Sequence, residues 1–68
     1  MKRVSIAIVE PSPIIMEGVA TIVGHNPSLR VVGAVATLGE LQALMRNTEV
    51  DVVVAAVGIA RDMESVAE

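Results

Sequence analysis

The chain has 68 residues, a formal net charge of −3 at pH 7 and 53% apolar residues, yet it contains no Phe, Tyr or Trp. A chain of this length has room for one small domain with a modest core. It contains no Cys and one His, so the composition excludes a disulfide framework and argues against a zinc site. The five basic residues are scattered, whereas phosphate contacts need clustered Lys and Arg. We therefore expect no direct binding of nucleic acid by this segment.

The apolar stretches are too short for the membrane. No stretch approaches the roughly 18 apolar residues of a membrane-spanning helix. The apolar run after Lys2 and Arg3 ends at Glu10 and Pro11, which is too short for the core of a secretory signal. These patterns predict no membrane partner and a cytoplasmic location.

The first third of the chain predicts a strand followed by a helix. "VSIAIV", Val4–Val9, is an apolar run typical of a strand. Ser12 and Pro13 predict a helix start, because a Ser hydroxyl can accept from free backbone N–H groups and Pro at the first helical position lacks a donor that would have no partner. The helix is expected over Pro13–Gly24. Its predicted apolar face comprises Ile14, Gly18, Val19, Ile22 and Val23.

A second strand and helix follow. "LRVVGAV", Leu29–Val35, predicts a strand, and the charge at Arg30 suggests that it lies near a sheet edge. Thr37 and Glu40 match a capping box, in which each side chain accepts from the other residue's backbone N–H. We expect the second helix to end at Asn47. Its predicted buried stripe is Leu38, Leu41, Leu44 and Met45.

The third strand has an unusual composition. In "EVDVVVAAVG" six consecutive apolar residues run from Val52 to Val57, and the predicted strand spans Asp51–Val57. A β-branched run without alternation is typical of a parallel strand that is buried on both faces. The following segment, residues 59–68, has Ile59, Met63, Val66 and Ala67 at helical spacing. A short third helix and a frayed tail both remain open for it.

The order of elements predicts an α/β fold. Right-handed crossovers in a β-α-β-α-β chain, with helices on both faces, place the first strand in the middle of a parallel sheet of order 2-1-3. The third strand is then an edge strand of this chain. Its sequence is nevertheless that of an interior strand.

The chain also resembles a known family. "RVSIAIVEPSPIIMEGVATIV", "NPSLRVVGAVATLGELQALM" and "EVDVVVAAVG" occur in the order and at the spacings of receiver domains of two-component response regulators, in particular of LuxR/NarL-type transcriptional regulators. The resemblance implies a flavodoxin-like (CheY-like) fold, of which residues 1–68 would be the first half, a truncated receiver domain. It also implies that DNA binding belongs to a C-terminal helix-turn-helix domain outside this segment.

Two positions depart from the receiver pattern. Receivers bind Mg²⁺ through an acidic pair after the first strand, and here the pair is Glu10 and Pro11, so one carboxylate is missing. The position that matches the phosphoacceptor Asp is Ala56, which cannot form an acyl phosphate. The resemblance with these departures implies a degenerate pseudo-receiver that is not an enzyme and has no catalytic residue, no metal and no cofactor. Glu10 is then expected to be a solvated or helix-end charge, and His25 a surface residue after the first helix.

These patterns are compatible with three functions. The leading expectation is a phosphorylation-independent interaction module that acts in dimerisation or partner docking. One alternative is a small-molecule sensor with its ligand in the cleft at the C-terminal ends of the strands. The other is a small flavodoxin-like enzyme, which is the least favoured because no acid–base pair is visible in the sequence. We expect a homodimer, either edge-paired or swapped, because an unpaired apolar edge strand promotes pairing. The residues predicted at the dimer interface are Val52, Val53, Val54, Ala55, Ala56 and Val57.

Overall fold

The structure is a computed structural model, and it describes residues 2–55. Five elements follow one another: β1 (Val4–Val9), α1 (Pro13–Gly24), β2 (Leu29–Val35), α2 (Leu38–Asn47) and β3 (Val52–Ala55). The bounds of the first four elements confirm those predicted from the sequence. The expected continuation of the third strand through Val57 and the segment 59–68 lie outside the described residues.

The three strands form one parallel sheet of order β2-β1-β3. This order confirms the predicted α/β architecture, a flavodoxin-like half with β1 at its centre. Ile6 and Ile8 of β1 lie opposite Val52 and Val54 of β3 on one face of the sheet. The intervening β1 side chains point to the other face, since successive side chains of a strand alternate. Residues 6–9 of β1 are all buried, as a central strand requires.

The pairing of β1 with β2 contains a bulge. Ile6 pairs with Val31 and Ala7 pairs with Gly33, which leaves Val32 without a partner on β1. Gly33 then lies directly beneath α2, and a Cβ atom at this position would be 2.5 Å from Cδ2 of Leu44. The glycine therefore allows α2 to approach β2 more closely than any other residue would.

The α2 side of the sheet holds the main hydrophobic cluster. Its buried members are Ala7, Val9 and Leu41. Partly buried side chains surround them: Val35, Leu38, Leu44, Val50, Val53 and Ala55. The predicted stripe of α2 is confirmed at its three leucines. It is wrong at Met45, which is 49% exposed.

The predicted face of α1 is partly wrong. Ile14 is 83% exposed and Ile22 is 73% exposed, although the predicted apolar face contains both. The side chains that are half-buried in α1 are instead Met16, Val19, Ala20 and Val23. These residues also have helical spacing, and the helix is apolar around most of its circumference. The sequence pattern therefore allowed two faces, and packing on β1 and β2 selects one of them.

The start of α1 differs from the prediction in its hydrogen bonds. Ser12 is the N-cap residue, as expected, but its side chain makes no capping bond. The carboxylate of Glu10 accepts instead, through Oε1, from the backbone N–H of Ser12 at 3.1 Å. The helix ends at Gly24, as predicted, and the N–H of His25 donates to the carbonyl of Ile22 at 3.3 Å.

The start of α2 has the predicted cap with one change. Oγ1 of Thr37 accepts from the backbone N–H of Glu40 at 3.2 Å. Oε2 of Glu40 accepts from the N–H of Ala36 at 2.8 Å, one residue before the donor that a capping box would use. Both side chains therefore still bind backbone N–H groups at the helix start.

Neither helix of residues 2–55 has the length and apolarity to cross a bilayer.

Candidate functional site

Glu10, the acidic residue after β1, makes hydrogen bonds that hold neighbouring elements together. The N–H of Glu10 donates to the carbonyl of Val35 at 2.9 Å and continues the ladder between β1 and β2. Its half-buried side chain accepts from Ser12, so it ties the end of β1 to the start of α1. Pro11 is exposed and offers no side-chain oxygen. This arrangement supports the interpretation of Glu10 as a helix-end charge.

The other position at which the sequence departs from the receiver pattern is not described by the structure. Ala56, the position that matches the phosphoacceptor, lies outside the described residues. Among residues 2–55, no three His, Asp or Glu side chains lie close enough together to hold a metal ion. His25 is exposed and follows α1 directly, at the position expected from the sequence.

A small depression opens at the C-terminal ends of β1 and β3. Its volume is about 100 Å³, and it is largely apolar. The lining residues are Ile8, Val9, Glu10, Val19, Val54 and Ala55. Pockets for drug-sized ligands have volumes of roughly 300 to 1,000 Å³. The depression therefore has room for a small group, and a whole nucleotide or flavin is too large for it.

The edge of β3 is the second feature of the site. β3 pairs with β1 along one side, and no strand within residues 2–55 pairs with its other side. Val52 and Val54 are 44% and 37% exposed, whereas Val53 and Ala55 are half-buried on the α2 side. An open edge presents backbone donors and acceptors that can pair with another strand. Four of the six residues predicted at the dimer interface thus lie on an accessible strand, and Ala56 and Val57 lie outside the described residues.

A pair of hydrogen bonds fixes the beginning of β3. The N–H of Ser5 donates to Oδ2 of Asp51 at 2.8 Å, and the N–H of Asp51 donates to the carbonyl of Ser5 at 2.9 Å. Asp51 therefore extends the ladder between β1 and β3 with its side chain. Our sequence reasoning did not identify this contact. An Asp immediately before a β-branched run is the signal that could have suggested it.

The two helices leave β3 the least covered strand. α1 packs mainly on β2 and less on β1, and α2 also packs on β2 and β1. On the α1 side, Val52 and Val54 consequently lie beside the helix and not beneath it. Both the outer edge and one face of β3 are thus accessible in the part of the chain that the structure describes.

Comparisons of this chain with protein-family models, with curated proteins and with solved structures find no match. The fold is shown by the chain's own geometry. Its function has to be inferred from the depression, the β3 edge and the residues around them.

Proposed function

We propose that the chain is a phosphorylation-independent pseudo-receiver segment of a bacterial two-component-type transcriptional regulator, and that it acts in dimerisation or partner docking. The observation that carries this proposal is the contrast between the sequence of β3 and its position. The run from Val52 is typical of an interior strand, and β3 nevertheless has an open edge among residues 2–55.

Pairing with a second copy accounts for this contrast. A two-fold axis perpendicular to the sheet would align β3 antiparallel to the β3 of its mate, and two three-stranded sheets would become one of six strands. The backbone groups along both open edges would then be hydrogen-bonded. A swapped dimer, in which the two copies exchange an element, is a variant of the same assembly.

The absence of phosphoryl chemistry is the second part of the proposal. Glu10 is engaged by Ser12, and Pro11 replaces the second carboxylate of the acidic pair. Ala56 replaces the acceptor in the sequence. We expect no mass change after treatment with acetyl phosphate and Mg²⁺. An acyl phosphate, labile in both acid and base, would contradict the pseudo-receiver assignment, whereas an acid-stable phosphoryl group on Ser or Thr would not.

Sedimentation equilibrium and circular dichroism over a dilution series test the dimer. We expect a homodimer whose helical signal decreases on dilution, because folding and association are linked. A compact and cooperatively folded monomer at low concentration would contradict the proposal.

A matched pair of variants at the β3 edge sharpens this test. Val54→Pro removes a backbone donor and should abolish both dimer and fold, since Pro does not fit the middle of a paired strand. Val54→Thr keeps the N–H group and the branched side chain, so we expect it to dimerise like the wild type. Equal loss of the dimer in both variants would mean that the side chain, not the ladder, is what matters at this position.

The depression favours a second candidate function, a small-molecule sensor. It lies where open parallel sheets bind ligands, outside the C-terminal ends of the strands. Its apolar lining suits a small apolar group, with Glu10 as the ionisable side chain in the lining. A rise in melting temperature with one member of a metabolite panel, lost in Val19→Met, which would fill the depression, would favour the sensor. An unchanged melt across the panel would favour the interaction module.

A further inference from the structure

We draw no further inference here: the strongest candidate, the exposed apolar surface of α1 and β3 on one side of the sheet, carries nothing because nothing in the described residues 2–55 shows what covers it.

Discussion

The two helices lie on opposite faces of one sheet, and they differ in how closely they are bound to it. On the α2 side, Leu41 is buried against Ala7 and Val9, and Gly33 lets the helix approach β2. On the α1 side, no helix residue is fully buried, and Ile14 and Ile22 extend into solvent. One face is thus closed by its own helix, whereas the other has apolar surface for a further element. The difference shows that apolar content alone does not determine which side of a helix is buried.

The two faces should differ most in how much stability is lost when one helix side chain on each face is replaced by Ala. Leu41→Ala should lower the free energy of unfolding by about 2–5 kcal/mol, because it removes buried methyl groups and leaves a cavity. Ile14→Ala should change it by less than about 0.5 kcal/mol, since the side chain is exposed in the protomer. Urea unfolding at one fixed protein concentration measures both. Equal effects would contradict the contrast between the faces.

Substitutions at Gly33 and Leu44 test how closely α2 packs on β2. Gly33→Val should destabilise by about 1–3 kcal/mol, because the added side chain must displace Leu44. In a Leu44→Ala background the same substitution should be markedly less harmful, and a double-mutant cycle gives the coupling. Strictly additive effects would mean that α2 is not held against β2 at this point.

The N-caps of α1 and α2 should also differ in how much they stabilise the protein. Thr37→Ala should lower stability by about 1 kcal/mol, because Oγ1 of Thr37 caps the N–H of Glu40. Ser12→Ala should have a smaller effect, under about 0.5 kcal/mol, because its side chain makes no capping bond. Thermal unfolding of the two variants at the same concentration compares them. A larger loss for Ser12→Ala would show that its hydroxyl caps α1 after all.

An effect similar to that of Thr37→Ala is expected at the beginning of β3. Asp51→Ala removes the acceptor for the N–H of Ser5 and should lower stability by about 0.5–1.5 kcal/mol. Asp51→Asn keeps an acceptor oxygen and should recover most of this loss. Hydrogen exchange of the Ser5 amide reports the bond directly. Unchanged protection of this amide in Asp51→Ala would contradict a hydrogen bond from the N–H of Ser5 to Asp51.

Sequence reasoning was most successful where a local signal specifies one outcome. The apolar run of β1, the Pro13 start and the Thr37 cap each fix a position along the chain, and the structure confirms them. The strand order follows from the handedness of crossovers. The face of α1 could not be predicted, because the row of Ile14 and Ile22 and the row of Met16 and Val23 both have helical spacing.

The candidate site was less predictable for a related reason. The resemblance to receivers directed attention to Glu10 as the remaining carboxylate of an acidic pair, and not as an acceptor for a backbone N–H group. Its bond to Ser12 depends on how the chain turns after β1, which the residue types do not specify. The bond between Asp51 and Ser5 joins residues that are 46 positions apart. An Asp immediately before a β-branched run is a local signal for such a bond, but it does not identify Ser5 as the partner. The open edge of β3 within residues 2–55, in contrast, follows from the strand order.

The bulge in β2 makes the two edges of the sheet unequal. At the outer edge of β2 the ladder is interrupted at Val32, and Arg30 is exposed nearby. Bulges and charged side chains both discourage another strand from adding to an edge. The register of β3 on β1 has no such interruption over Val52–Ala55. If β3 pairs with a second copy as proposed, the outer β2 edges of that dimer would discourage further strands, and the pairing would stop at two copies.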